Sequence, residues 1–403
     1  MEKVRKVVNE IAYTRDHSKS PALHRSLVPI LTLASSLYGV ALQIRRSLYR
    51  LSLVQKHRLP VPVISVGNLS WGGNGKTPMV EYISQFLVDS GLSPLILTRG
   101  YGGGDEAKML ERHLRGGPVK IGIGANRAAT AALFFEKYGC VDPSSIRTFF
   151  DLYERAEAMN ISQKIGVVVL DDGMQHWSLS RDLEIVMLNG MNPWGNGHLV
   201  PLGPLREPLV ALERADVVVV HHVDLMTKQS LRDIENIIQG FKKSIPIFYS
   251  NMVPKYLFDV KNAKSHLALE ALRFASVLCV SAIGSSDAFV KSIEMTGAGY
   301  VDRLVIIIYL KHRYNATNFK AILCDVETMK RRAKGLERKS NSKPVIVVTE
   351  KDYDRDPDIL KCLDSYTVLV LCSELQITQF RGTDEDSFKS TFTRVAAKFC
   401  VSN

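Results

Sequence analysis

The 403-residue sequence carries 52 Lys and Arg against 41 Asp and Glu, for a net charge of +11. With 46% hydrophobic and 23% charged residues, it can bury two proper cores, which excludes disordered and fibrous classes. The positive excess points to an anionic partner: nucleic acid, a membrane surface or a phosphorylated ligand. Cysteines at 140, 279, 324, 362, 372 and 400 form no C-x-x-C pair. That argues against a disulfide framework or a cysteine metal cluster and fits a reducing compartment.

Residues 1–16, MEKVRKVVNEIAYTRD, are basic and apolar but contain Glu2, Glu10 and Asp16, whereas a mitochondrial transit peptide is poor in acids. From His17 to Val80 there is no Asp or Glu, while Lys19, Arg25, Arg45, Arg46, Arg50, Lys56 and Arg58 fall there. Residues 26–44 form an uncharged run between Arg25 and Arg45, near the lower limit for spanning a bilayer. Thr32, Ser36, Gly39 and Gln43 line one helical face and leucines and alanines cover the others. A weakly polar stripe with Arg clusters at both ends suits a helix lying in the membrane interface. A helix packed on the core and a spanning helix are the alternatives.

The stretch Val61–Pro78, VPVISVGNLSWGGNGKTP, reads as a buried strand, a glycine-rich turn and the first turn of a helix. Gly72, Gly73 and Gly75, with Asn74 among them, form a loop able to take positive φ and turn its N–H groups inward. A helix opening from such a loop is an anion site. Lys76 adds a charge for the β- and γ-phosphates, and the Thr77 hydroxyl is placed to ligate Mg²⁺. Ser70 stands where the strict phosphate-loop pattern has Gly, and an incidental Gly-Lys-Thr in a β–α turn is the competing reading.

Further strands are expected at SPLILT (93–98), PVKIGIG (118–124) and IGVVVL (165–170), the last ending in Asp171-Asp172-Gly173. An apolar strand ending in Asp, placed after a phosphate loop, supplies the acid that holds Mg²⁺; a solvated turn is the alternative. EIVMLN (184–189) and ADVVVVHH (215–222) continue the β–α alternation. Between them NPWGNGHLVPLGPLREP carries Arg206, suited to clamp a phosphate, and Glu207, suited to help the metal, unless both belong to a salt-bridged surface turn. From about residue 255 the pattern restarts, with strands at SVLCVSAIG, PVIVVTEKD and TVLVLC and a basic helical run from Met329 to Lys339 read as a solvated face. The expected organisation is an N-terminal extension with an amphipathic membrane-associated helix (1–58), a phosphate-loop core (59–254) and a smaller C-terminal α/β domain (255–403). The fold class is α/β, a phosphate-loop NTPase-type, mostly parallel sheet.

GNLSWGGNGKTP, RGYGG, GDE (104–106), ANR (125–127), DDGMQH (171–176), RDLEI (181–185), GNGHLVPLGPLREP (195–208) and TEKD (349–352) occur in this order. Together they resemble the tetraacyldisaccharide 4'-kinase family, over about residues 27–375, and that family's loop also lacks the first Gly. The resemblance implies ATP- and Mg²⁺-dependent transfer of the γ-phosphate to the 4'-hydroxyl of an acylated glucosamine disaccharide 1-phosphate, approached from a membrane surface. It implies Asp105 as the base for the sugar hydroxyl, with Thr77, Asp171, Asp172 and Glu207 toward the metal. Tyr101, Glu106, Arg127, Gln175 and Arg206 would meet the substrate. The nearby candidate for the family's base-paired His is His312, preceded here by Lys311 where the family has an acid; either His312 keeps the role without its orienting carboxylate, or this segment has been replaced and the dyad is gone. The alternative function is a membrane-associated ATP-binding protein that has lost kinase activity. A nucleic-acid partner is not expected, since no aromatic-lined basic groove signature is present. The longer basic N-terminus resembles a plant, mitochondrial branch; the alternative location is the cytoplasmic face of a bacterial inner membrane.

Overall fold

The computed structural model describes residues 2–14, 16, 21–100, 105–142, 145–146, 148, 163–306 and 317–402. The chain divides into two compact units. The first comprises Met1–Thr98, Gly117–Asn251 and Ile377–Asn403; the second comprises Arg99–Gly116 and Met252–Gln376. Residues 99–116 and the C-terminus thus each join a unit other than the one their place in sequence order suggests.

In chain order, the elements up to the crossover strand are α1 (Glu2–Tyr13), α2 (Ala22–Arg50), β1 (Val63–Asn68), α3 (Lys76–Asp89), β2 (Ser93–Thr98), α4 (Asp105–His113), β3 (Lys120–Ile123), α5 (Arg127–Tyr138), β4 (Ile165–Asp171), β5 (Leu183–Asn189), β6 (Val217–His221), α6 (Lys228–Phe241) and β7 (Ile247–Asp259). In the first unit the strands pair in the order β7-β6-β5-β1-β4-β2-β3, and every pairing is parallel. Strands β1, β2 and β4 are buried along their whole length, which is why they read as continuous apolar runs rather than alternating ones. β1 lies between β4 and β5. That reversal of strand order opens a crevice at the C-terminal ends of the strands, where such sheets bind ligands.

α1 belongs to this unit. Ile11 is fully buried and packs with Val7 against Leu202 and α2, while the Tyr13 hydroxyl donates to the Trp71 carbonyl at 3.3 Å. α2 docks along one face: Ser35 Oγ donates to Leu199 O (2.8 Å), Tyr38 OH to Arg206 O (2.8 Å) and Arg45 Nη2 to Gln175 O (2.7 Å). Its other face leaves Leu23, Ile30, Leu33, Leu37, Val40 and Ile44 exposed. Of the weakly polar stripe, Thr32, Ser36 and Gln43 remain exposed beside the leucines. By length and composition this 29-residue helix could also cross a membrane.

The second unit continues with β8 (Asn262–Leu267), β9 (Ser276–Ser281), α7 (Ser286–Glu294), β10 (Tyr300–Val305), α8 (Thr317–Ser340), β11 (Val345–Thr349), α9 (Glu350–Arg355) and β12 (Val368–Ile377). β10, β9, β11 and β12 pair in parallel, and β8 turns back antiparallel on β7. The basic run from Met329 is only half solvated. Val326, Met329, Ala333 and Leu336 are buried at helical spacing, and Arg331, Lys334 and Arg338 face out. α10 (Glu385–Ser402) returns to the first unit, packing Phe388 edge-on against Phe248 (centroids 5.0 Å apart) and Phe392 at a tilt against Phe86 (5.4 Å).

Ile11→Ala removes a fully buried side chain from the α1–α2 contact and should cost about 2–4 kcal/mol. Thermal denaturation is expected to show a clearly lower Tm; an unchanged midpoint would contradict the packing of α1.

Candidate active site

The loop between β1 and α3 is shaped by two glycines in the left-handed region, Gly72 at φ 95 and Gly75 at φ 77. Gly73, expected to join them, has no positive φ. Gly75 precedes α3 directly and offers no side chain to cap its first amides, so those N–H groups remain directed at whatever anion enters. Asn74 ties the loop internally, donating to Gly72 O (2.6 Å) and Ser70 O (3.0 Å). From β5, Asn189 donates through its side chain to Gly73 O (3.0 Å) and through its N–H to Asn74 Oδ1 (3.2 Å).

Across from the loop, β4 ends in Asp171, which pairs in register with Val66 and is 1% exposed. Asp172 follows at φ 52, a left-handed conformation that a non-glycine residue keeps only when its surroundings enforce it. Arg127 does so from the start of α5. Expected to meet substrate, it is instead buried, donating to Asp171 O (2.5 Å) and Asp172 O (3.1 Å). Arg181 holds the next turn through the carbonyls of Gly173 (2.9 Å) and His176 (2.5 Å), and pairs with buried Glu184.

The Asp172 carboxylate is the meeting point. Lys76 Nζ lies 3.4 Å from Oδ1, and Arg206 Nη1 donates to Oδ1 and Oδ2 at 2.6 and 2.8 Å. Burial by itself pushes this carboxyl up, but Lys76, Arg206 and Arg127 reverse that and hold it at about 2. Arg206 reaches it because the 195–208 loop is stitched to the phosphate-loop strand: Arg206 N donates to Leu69 O (2.7 Å) and Trp71 N to Pro204 O (2.9 Å).

Glu207 accepts two bonds from Arg214 (2.7 and 2.9 Å) and one from Gln175 (3.2 Å). Its carboxylate therefore anchors the loop rather than standing toward a metal. Gln175 also donates to Asn68 O at 3.0 Å. Among the described residues no three His, Cys, Asp or Glu side chains converge on a metal position. Mg²⁺ asks for less, since it commonly takes one or two carboxylates and completes its shell with phosphate oxygens and water. The Thr77 hydroxyl, the Asp171 and Asp172 carboxylates and the uncapped amides are hard oxygen donors and phosphate ligands of the kind such an ion requires.

A sequence-family profile described as tetraacyldisaccharide-1-P 4'-kinase matches residues 27–392. The chain belongs to this family. It is 81% identical, over the whole of both chains, to a protein of Arabidopsis thaliana named "Probable tetraacyldisaccharide 4'-kinase, mitochondrial". A tetraacyldisaccharide 4'-kinase of Syntrophus aciditrophicus is 32% identical across 80% of this chain and 83% of its own. The fold matches the LpxK structure from Aquifex aeolicus solved in complex with ATP, with a TM-score of 0.59 and 24% identity, covering 93% of this chain and 99% of the other.

Within this kinase family's motif set, Tyr101 and His312 lie outside the described residues, and so does the Asp105 side chain, although Asp105 itself opens α4. In the second unit Glu106 accepts from Lys351 Nζ (2.7 Å). At the far end of α4, Arg112 donates to Asp354 (2.9 and 2.8 Å) and Glu350 (2.9 Å), and His113 meets Glu350 at 2.7 Å. Burial pushes the Glu350 carboxyl up, but His113 and Arg112 bring it below the usual range. The TEKD motif thus grips α4 at both ends. Asn189, Arg181, Lys351 and His221, which the sequence reading passed over, stand at strand and helix ends without a motif signature of their own, apart from the RDLEI and TEKD context.

Asp172 ionises far below the ordinary carboxylate value of 3.8, so its stabilising share is complete above about pH 4 and lost as pH falls toward about 2. Asp172→Ala should be less stable than the native chain by about 2 kcal/mol near neutrality. Chemical denaturation at stepped pH is expected to show that gap closing on acidification; a gap that widened would contradict the assignment.

Proposed function

We propose that this chain phosphorylates the 4'-hydroxyl of a tetraacylated glucosamine disaccharide 1-phosphate with ATP, giving a lipid IVA-type product in lipid A biosynthesis. The observation that carries this reading is the convergence of Lys76 and Arg206 on Asp172 beside the uncapped start of α3, in a chain with a full-length kinase relative. The loop amides of residues 72–77 and Lys76 hold the β- and γ-phosphates, and Arg206 neutralises charge on the transferring group. Thr77 with Asp171 or Asp172 would hold Mg²⁺, which would supply positive charge to offset the charge on the phosphates.

The sugar oxygen bonds to the γ-phosphorus as the β–γ bridging bond breaks and ADP leaves, and the hydroxyl proton passes to Asp105. A carboxylate suffices as base because a loose phosphoryl-transfer transition state develops little nucleophile charge. Glu106 and Lys351 fix the start of α4, and Tyr101 and Gln175 belong to the substrate side. The name of the Arabidopsis relative supports a mitochondrial location.

The lipid acceptor calls for a membrane surface, and α2 supplies a matching face. Ile30, Leu33 and Leu37 are 64%, 65% and 64% exposed, and Arg25, Arg46 and Arg50 flank them as exposed cations. Fully burying a leucine contributes roughly 1.5–3 kcal/mol, and each basic residue near an anionic leaflet adds about 1 kcal/mol. Together these favour an interfacial position.

The test is transfer of labelled phosphate to a 1-phosphorylated acyl disaccharide. Lys76→Ala and Asp105→Ala should each lower turnover by roughly two orders of magnitude or more. A native chain that binds ATP without transferring phosphate would support the inactive alternative. Paired Leu33→Glu and Leu37→Glu substitutions should abolish sedimentation with anionic vesicles and leave the Tm unchanged. Retained sedimentation would refute the interfacial role of α2.

A further inference from the structure

The phosphate loop rests on the ends of two neighbouring strands. Asn189 closes β5 and His221 closes β6, and the two are register partners. Asn189 holds the carbonyl of Gly73 and the side chain of Asn74. His221 lies beneath the next turn: a Cβ built on Gly75 would sit 2.6 Å from His221 Cδ2 and 2.8 Å from Nε2. The ring therefore fills the space that any other residue at position 75 would need.

The ring is itself held on several sides. Nδ1 shares a hydrogen bond with the buried Ser250 hydroxyl at 2.9 Å. The His222 ring packs against it with centroids 4.0 Å apart. The His221 carbonyl accepts from Gly190 N at 2.8 Å. His222 keeps a left-handed backbone at φ 64, a conformation that the surroundings must sustain. Burial and then the neighbouring His222 push His221 well below the ordinary imidazole value, so its contribution is shape and hydrogen bonding, not charge.

We propose that His221 is a positioning residue for nucleotide binding: its ring is the floor that keeps Gly75 in the left-handed turn from which the α3 amides and Lys76 project. This rests on the reading of residues 72–77 as the triphosphate site. A glycine-rich loop without that floor gains conformations that binding must then remove. The penalty falls on ATP and not on the lipid acceptor.

The experiment measures ATP affinity and both Michaelis constants in the full-length kinase. His221→Ala should weaken ATP binding and raise KM for ATP roughly tenfold, with KM for the acyl disaccharide unchanged. His221→Phe, which restores a flat ring, should recover most of the loss. Ser250→Ala leaves the ring in place without its tether and should give the same split at roughly threefold; it is the decisive variant if His221→Ala does not fold. Native ATP affinity in both His221→Ala and Ser250→Ala, or equal rises in the two Michaelis constants, would overturn the proposal. Lys76→Ala separates the two readings. If it abolishes ATP binding while His221→Ala does not alter it, only the role of His221 fails. If Lys76→Ala binds ATP as the native chain does, the loop assignment fails first.

Discussion

One half-buried carboxylate fixes the relative positions of three distant pieces of chain. Asp172 draws in Lys76 from the start of α3 and Arg206 from the long loop, and its backbone is pinned by Arg127 from α5. Two cations in a desolvated crevice would repel each other without a shared anion. The positive φ of Asp172 is part of the same device, because it turns the carboxylate back toward the loop instead of letting it follow the strand. The cations gathered this way are the groups that a transferring phosphoryl group also requires.

The second unit secures the helix that carries Asp105 and Glu106 differently. There an ion network holds α4 at both ends. Arg112, His113, Glu350 and Asp354 bind one end of α4 while Lys351 and Glu106 bind the other. A fully paired network of this kind tolerates burial because each charge has a partner of opposite sign. Removing Arg112 would leave two buried carboxylates facing each other, so the TEKD segment contributes to placing the α4 acids without being near the phosphate loop in sequence.

The parallel core was legible in the sequence because strands buried on both faces must be written in Val, Ile and Leu. β1, β2, β4 and β6 announced themselves this way, and the glycine loop and the acids at the end of β4 followed from their positions. β8 did not, because every residue in it is exposed and a hairpin arm in water needs no apolar pattern. The return of α10 to the first unit depends on Phe388 and Phe392 finding rings more than a hundred residues away in sequence, which no local pattern encodes. Arg127 and Glu207 were recognisable as important, but their tasks were not: a charge that binds ligand and a charge that braces backbone look alike until their partners are visible. Asn189 and His221 were hidden for a related reason, since a polar residue closing an apolar strand is ordinary and only register shows what lies above it.

The first helix sets how far the N-terminus can be trimmed. Ile11 and Ala12 are sealed from solvent, Asn196 binds the carbonyls of both, and Tyr13 reaches the backbone next to the glycine turn. These residues are part of the packed first unit rather than a loose tail. A chain shortened past them would lose the carbonyls that Asn196 holds and the tie from Tyr13 to the backbone beside the glycine turn.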